Sequence, residues 1–125
     1  MEKRYLSFED IEAYKVAFRL SNMVWDIVIH WNNFSKDTVG KQFVRAVDSI
    51  SANIAEGYGR YTKKDKVHFY RYAKASILES IDWFKKAKSR KLISEEEANT
   101  IASDLEKLPR LINWLIKYTN DNLTV

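Results

Sequence analysis

The fold expected of this chain is all-α, an antiparallel up-down-up-down four-helix bundle, and three observations predict it. Apolar residues recur every three or four positions along nearly all of the 125 residues. One proline and three glycines leave little room for turns, which favours a few long helices over many short strands. The joints between the periodic stretches are short, and short joints force consecutive helices to run antiparallel.

The first helix is expected over about 10–32. One apolar series in it runs Ala13, Ala17, Leu20, Val24, Ile27 and Trp31. A second series, Ile11, Tyr14, Phe18, Trp25 and Ile29, sits on roughly the opposite side at about 100° per residue. A surface helix needs only one apolar face toward its own core. The second series therefore predicts an oligomer interface, with a further copy of the chain as partner, or a large protein partner. Asn32 and Asn33 suit the turn that follows.

The second helix is expected over 38–57. The start signal is Ser35-Lys36-Asp37-Thr38, in which Ser35, Asp37 or Thr38 can cap. Gly57 and Gly59 suit a left-handed C-terminal cap. Val39, Phe43, Ala46, Val47, Ile50 and Ile54 form its inward face. The third helix, 63–88, opens at Thr62-Lys63-Lys64-Asp65 and points Phe69, Tyr72, Ala73, Ile77, Trp83 and Phe84 inward. Tyr70, Leu78 and Ile81 fall on a second flank. The fourth, 95–119, starts with the clearest signal: Ser94 followed by Glu95, Glu96 and Glu97 is a capping box with acids at the positive end of the helix dipole. Its inward series is Ala98, Ile101, Leu105, Leu108, Ile112 and Leu115, with Leu111, Trp114 and Tyr118 along the back. Pro109 lacks an amide proton and crowds the carbonyl four residues earlier, so a kink is expected there.

Composition bounds the rest. Residues 1–125 are expected to form one domain, and 46% hydrophobic with 14% aromatic content excludes a disordered chain. Without cysteine there is no disulfide, thiolate metal site or thiol nucleophile. The first ten residues lack the apolar stretch of a signal peptide, and no run of 18 apolar residues exists, so a cytoplasmic protein with no membrane role is expected.

The enzyme classes find little support. His30 and His68 stand on different helices without metal-ligand spacing, so no metal is expected. Gly57-Tyr58-Gly59 is too short to cradle a phosphate and follows a helix instead of opening one. No serine has a nucleophile context. The expectation is a non-enzymatic protein with no catalytic residues and no cofactor.

Charge is segregated. The net charge is +4, but residues 36–91 hold 14 Lys/Arg against 6 Asp/Glu, so the middle is basic and both ends are acidic. Ordinary solvated helix faces account for such a pattern, and so does a surface for polyanions. Tyr58, Arg60, Tyr61, Lys63 and Lys64 crowd one turn, with Tyr70, Arg71, Tyr72 and Lys74 following. Cations neutralise phosphates and tyrosines stack on exposed bases. The candidate nucleic-acid contacts are Lys41, Arg45, Arg60, Lys63, Lys64, Arg71 and Lys74. The basic end of the third helix, Lys85, Lys86, Lys88, Arg90 and Lys91, also suits the negative end of the helix dipole and needs no ligand. Between Gln42 and Arg60, a flank of Gln42, Arg45, Ser49, Ala52 and Glu56 is polar or small. Asn53 falls toward the core, where an unpaired amide costs about 1–3 kcal/mol. Ser76, Glu79 and Ser80 are its expected partners across the helix pair. A polar lock and a recognition patch both remain open for this stretch.

The run from Arg45 through Asn53-Ile54-Ala55-Glu56-Gly57-Tyr58-Gly59-Arg60, followed by Phe69 to Glu79, resembles the bacterial four-helix-bundle proteins encoded within intervening sequences of 23S ribosomal RNA genes. These often carry a ribosomal protein label. The resemblance begins at Phe8-Glu9-Asp10 and spans nearly the whole chain. Ser51 stands where many relatives have proline, and Ala75 where a glycine commonly precedes the serine matched by Ser76. Membership implies a barrel-like homopentamer and kinship with the accessory variability protein of diversity-generating retroelements, a basic pentamer that binds a reverse transcriptase and nucleic acid. It assigns Arg45, Asn53, Glu56, Gly57, Gly59, Arg60, Ser76 and Glu79 as motif positions. The expected function is a non-enzymatic homo-oligomer that binds structured RNA or other nucleic acid; the alternative is a protein-interaction scaffold with no nucleic-acid role.

Overall fold

The computed structural model describes residues 7–125. A single 3-10 turn, Phe8–Asp10, leads into the first of four long helices: α1 (Glu12–Val28), α2 (Lys41–Gly59), α3 (Lys63–Ser89) and α4 (Glu95–Asn122). Each helix packs on its neighbours in chain order, and α1 closes the ring against α4. Their ends alternate. Phe8, before α1, lies 6.5 Å from Tyr58 at the end of α2. Lys63, at the start of α3, donates from Nζ to the carbonyls of Asn120 and Leu123 at the end of α4, at 3.3 and 3.2 Å. The expected bundle is therefore present, and Lys63 satisfies carbonyls that a helix end leaves without intrahelical partners.

Several boundaries differ from expectation. α1 is shorter than 10–32 at both ends, because Ile11 is extended and the chain tightens after Val28. His30 and Trp31 make short-range turn bonds to Ile27 and Val28. The cap that follows is Asn32, whose side chain accepts from Ser35 N at 2.9 Å; Ser35, Asp37 and Thr38 do not cap. Thr38 instead donates to the Phe34 carbonyl at 2.7 Å. One helical turn at Asn33–Ser35 and a π turn at Lys36–Gly40 then feed α2. Gly40 is buried there, and a Cβ on it would stand 2.6 Å from Val28 Cγ1.

The end of α2 is a further correction. No glycine has positive φ, and Arg60 leaves the helix in extended conformation. Gly57 is instead a buried helical residue facing Tyr70. The left-handed cap belongs to Lys91 after α3, with φ 58. Leu92 N reaches the Ala87 carbonyl at 2.9 Å and Lys91 N the Lys88 carbonyl at 3.1 Å, the paired bonds of a Schellman ending. Thr62 caps α3 and Ser94 caps α4, both through the residue three positions on. α4 runs on through Pro109.

The inward series of α2 and α4 are buried as expected. On α3 the sequence expectation is rotated. The buried stripe is Val67, Tyr70, Ala73, Ile77, Ser80, Phe84 and Ala87, whereas Tyr72 is exposed and Phe69 and Trp83 are half-buried. Tyr70, expected on the second flank, is buried in this face, and the small Ser80 and Ala87 complete it. Arg19 on α1 reaches into the α1–α4 seam and bonds Asp104 Oδ1 at 2.8 Å. The second oxygen of that buried carboxylate has no protein partner among the described residues.

Candidate nucleic-acid interface and apolar flank

The candidate cations separate into two groups. Lys41 and Arg45 sit at the start of α2, while Arg60, Lys63, Lys64 and Arg71 gather where α2 hands over to α3. Fifteen residues of helix carry Arg45 about 22 Å from Arg60 along the axis. Lys74 lies one turn beyond Arg71.

Within the second group the cations are not equivalent. Arg60 pairs with Glu56 at 2.8 Å and lies 4.5 Å over the Phe69 ring. Lys63 is committed to the end of α4. The side chains of Lys41, Arg45, Lys64, Arg71 and Lys74 make no ion pair or hydrogen bond among the described residues. Lys63, Lys64, Val67, His68, Arg71 and Asn120 line an open groove of about 420 Å³. Lys64, His68 and Arg71 share one face of α3 because they are spaced by four and three.

An aromatic cluster borders this face. His68 Nε2 and Tyr72 Oη are 2.8 Å apart, and the two rings meet at 4.6 Å between centroids. Phe69 stands edge-on to Tyr72 at 5.5 Å. Tyr61, in the turn before α3, is 79% exposed, and Tyr72 is 47% exposed. His68, weighed in the sequence only as a metal ligand, and Tyr72, expected in the core, therefore meet at the surface. The signal was available in the spacing, since His68 lies four residues from both Lys64 and Tyr72.

Tyr58 and Tyr70 belong elsewhere. With Lys66, Trp114 and Tyr118 they line a cavity of about 550 Å³ at the α2–α4 end of the bundle, to which Ile11 also contributes. Lys66 donates to the Tyr58 carbonyl at 2.6 Å and sits 5.3 Å over its ring. Burial lowers the pKa of Lys66. Burial, with a smaller repulsion from Tyr58, raises the Tyr70 hydroxyl to about 12. Both groups are explained by packing of the α2–α3 turn.

The polar-lock expectation needs correction in its partners. Asn53 is half-buried, and its amide donates to Ser49 O of its own helix at 2.8 Å. Ser80, fully buried, donates to Ser76 O at 2.7 Å. No described hydrogen bond joins Asn53 to Ser76, Glu79 or Ser80. A carbonyl four residues back is always within reach of a short side chain, and it satisfies each group locally. Glu79 is exposed.

The second apolar series of α1 divides. Ile11 and Tyr14 are half-buried against the core, with Tyr14 stacked on Phe18 at 5.7 Å. Phe18, Trp25 and Ile29 are 52%, 53% and 41% exposed. Trp114 and Tyr118, stacked at 5.2 Å on α4, are exposed as well. Among the described residues no group of three or more His, Asp or Glu side chains comes together to hold a metal, and no helix is long and apolar enough to cross a membrane.

Fold and surface together define a small all-helical bundle with a basic, aromatic-edged corner and an uncovered apolar flank. The chain belongs to the 23S rRNA-intervening sequence protein family, whose pattern matches residues 9–114. Its fold is similar to the crystal structure of a protein of unknown function from the S23 ribosomal protein family of Bacteroides thetaiotaomicron, with a TM-score of 0.77 at 21% identity. That match covers 84% of this chain and 95% of the other. No curated protein matches this chain.

Proposed function

We propose that this protein is a non-enzymatic homo-oligomer, a pentamer as the family resemblance implies, that binds structured RNA or other nucleic acid through its basic surface. The observation that carries the proposal is the set of cations without acidic partners around the groove, Lys64 and Arg71 foremost. Cations balanced by nearby acids have little left for a phosphate, whereas unpaired ones exchange small counterions for phosphates and gain their release. Arg60 and Lys63 contribute less, because each already serves the bundle. The exposed Phe18, Trp25 and Ile29 supply the surface on which copies associate.

Filter binding across a salt series tests the electrostatic half. The affinity should fall with log salt by roughly 0.9 per phosphate contact on a duplex, and Lys64→Glu with Arg71→Glu should flatten that slope. No binding at low salt would overturn it. Sedimentation tests the assembly: the wild-type chain should exceed one subunit, and Trp25→Glu should drive it toward the monomer. The scaffold alternative is favoured by the same exposed rings, and a protein partner retained after nuclease treatment, without nucleic-acid binding, would establish it.

A further inference from the structure

We infer that the strand engaged at this corner has unpaired bases, held on the aromatic edge formed by Tyr61 and by the His68–Tyr72 pair. The inference rests on the nucleic-acid proposal above and names the form of nucleic acid that fits.

Three features point the same way. A duplex presents phosphates outward and keeps its base faces stacked internally, so a duplex-binding face needs cations and gains little from open rings. A single strand presents both, and proteins that bind single strands combine a basic track with side chains on which bases stack. Here the basic track is Lys64 and Arg71, on the same face of α3 as His68. Rings flank it along the chain: Tyr72 follows Arg71 and is nearly half exposed, and Tyr61, three residues before Lys64, is far more so.

The Tyr72 ring is also held in place. Tyr72 is fixed through its hydroxyl to His68 and by an edge-to-face contact with Phe69, whose ring Arg60 covers. A ring already fixed loses less conformational freedom when a base lands on it. The ten residue steps from the Thr62 cap to Tyr72 rise about 15 Å along the helix axis, so Tyr61 and Tyr72 mark two ends of one short track. Asp65 is the exposed acid within this stretch. It places a negative charge on the Tyr72 side of the track, which directs the phosphates toward Lys64 and Arg71 and leaves the rings to the bases. An apolar protein partner would have no use for the two unpaired cations, which is why a nucleic acid fits the corner better.

Fluorescence anisotropy tests this with a labelled oligoadenylate, alone and annealed to its complement, in ribose and deoxyribose forms, on the full chain at low salt. The single strand should bind at least tenfold more tightly than the duplex. Tyr61→Ala should weaken single-strand binding by about tenfold, and Tyr72→Ala by a similar factor, with duplex binding unchanged. Tyr61 is in a turn and carries little packing, so its variant remains informative if Tyr72→Ala disturbs the helix. Tyr72→Phe keeps the ring and should retain most of the affinity. Preference for the ribose or the deoxyribose strand distinguishes RNA from DNA as the source, and either one supports the inference. Equal binding of duplex and single strand, or unchanged single-strand affinity in Tyr61→Ala and Tyr72→Ala, overturns it while leaving the electrostatic proposal intact. Failure of both forms to bind overturns both.

Discussion

Gly57 and Gly59 stand two residues apart in the same helix, and the same change should move stability in opposite directions at the two sites. Both have negative φ, so replacing either by alanine removes glycine's backbone entropy cost, about 1 kcal/mol in a helix interior and less at an end. At Gly59 nothing lies within 4 Å of an added Cβ, so Gly59→Ala should stabilise by about 0.5 kcal/mol. At Gly57 the Cβ would meet Tyr70 Cε1 at 2.7 Å and Cδ1 at 2.9 Å, and the Lys66 carbonyl oxygen at 3.0 Å. The ring is buried and the oxygen is backbone, so neither yields freely. Overpacking costs about 1–3 kcal/mol, and with the helix gain subtracted Gly57→Ala should destabilise by about 1–2 kcal/mol. The two variants should then differ by about 2 kcal/mol, or roughly 8 °C in Tm for a domain of this size. Thermal melts followed by circular dichroism measure the difference. Combining Gly57→Ala with Tyr70→Leu should recover about 1 kcal/mol relative to the sum of the single changes. If Gly57→Ala raises Tm as Gly59→Ala does, the close approach of α2 to α3 is not what makes this position glycine.

Three other changes test separate parts of the bundle. Arg19→Ala should cost about 2 kcal/mol in urea denaturation, because it leaves the buried Asp104 carboxylate without its 2.8 Å partner; adding Asp104→Leu should restore most of the loss, and no restoration would refute the ion-pair explanation. Lys91→Gly should raise the denaturation midpoint by the equivalent of about 1 kcal/mol, since lysine bears a left-handed φ of 58 that glycine adopts freely, whereas Lys91→Ala should not. Asp48 is exposed overall yet partly desolvated, which raises its pKa, and Ser21 partly opposes the shift. An acid raised in the folded state binds its proton more tightly there, so stability falls as pH climbs from the unfolded value near ~3.9 through the raised one. Asp48→Asn should therefore raise Tm at neutral pH, with the advantage shrinking below about pH 4; a gain of equal size at acid pH would contradict this.

The bundle was legible because its signals are local and repeated. The α2 and α4 faces are spaced by three and four with branched aliphatics at each step, and Ser94 with Glu97 closes its capping box in sequence as it does in space. Legibility failed where two local signals competed. Asn32 and Ser35 both qualify as caps, and the choice depends on the π turn that lets Gly40 slide under Val28, which no spacing encodes. On α3, Ala73 was legible as an inward residue, but Ser80 and Ala87 also face inward, and small residues carry almost no hydrophobic signal of their own. Tyr72 has the size of a core residue but is exposed, with its hydroxyl on His68.

The family motif shows the same competition from the functional side. A polar run such as Asn53 to Arg60 invites a ligand, yet most of it is occupied within the chain. Asn53 is satisfied by Ser49, Glu56 and Arg60 pair with each other, Arg60 also covers Phe69, and Gly57 makes room for Tyr70. These contacts close the α2–α3 turn and so set the position of the residues after it. Of the motif, Arg45 and Glu79 are left without an ion pair among the described residues. The unpaired cations beside the open rings, Lys64 and Arg71, lie outside the motif altogether. Substituting Arg60 should therefore loosen the turn and lower stability, whereas substituting Lys64 should change binding and leave the melt where it was. A Lys64 variant that melts early, or an Arg60 variant that loses affinity with its stability intact, would reverse that division of labour.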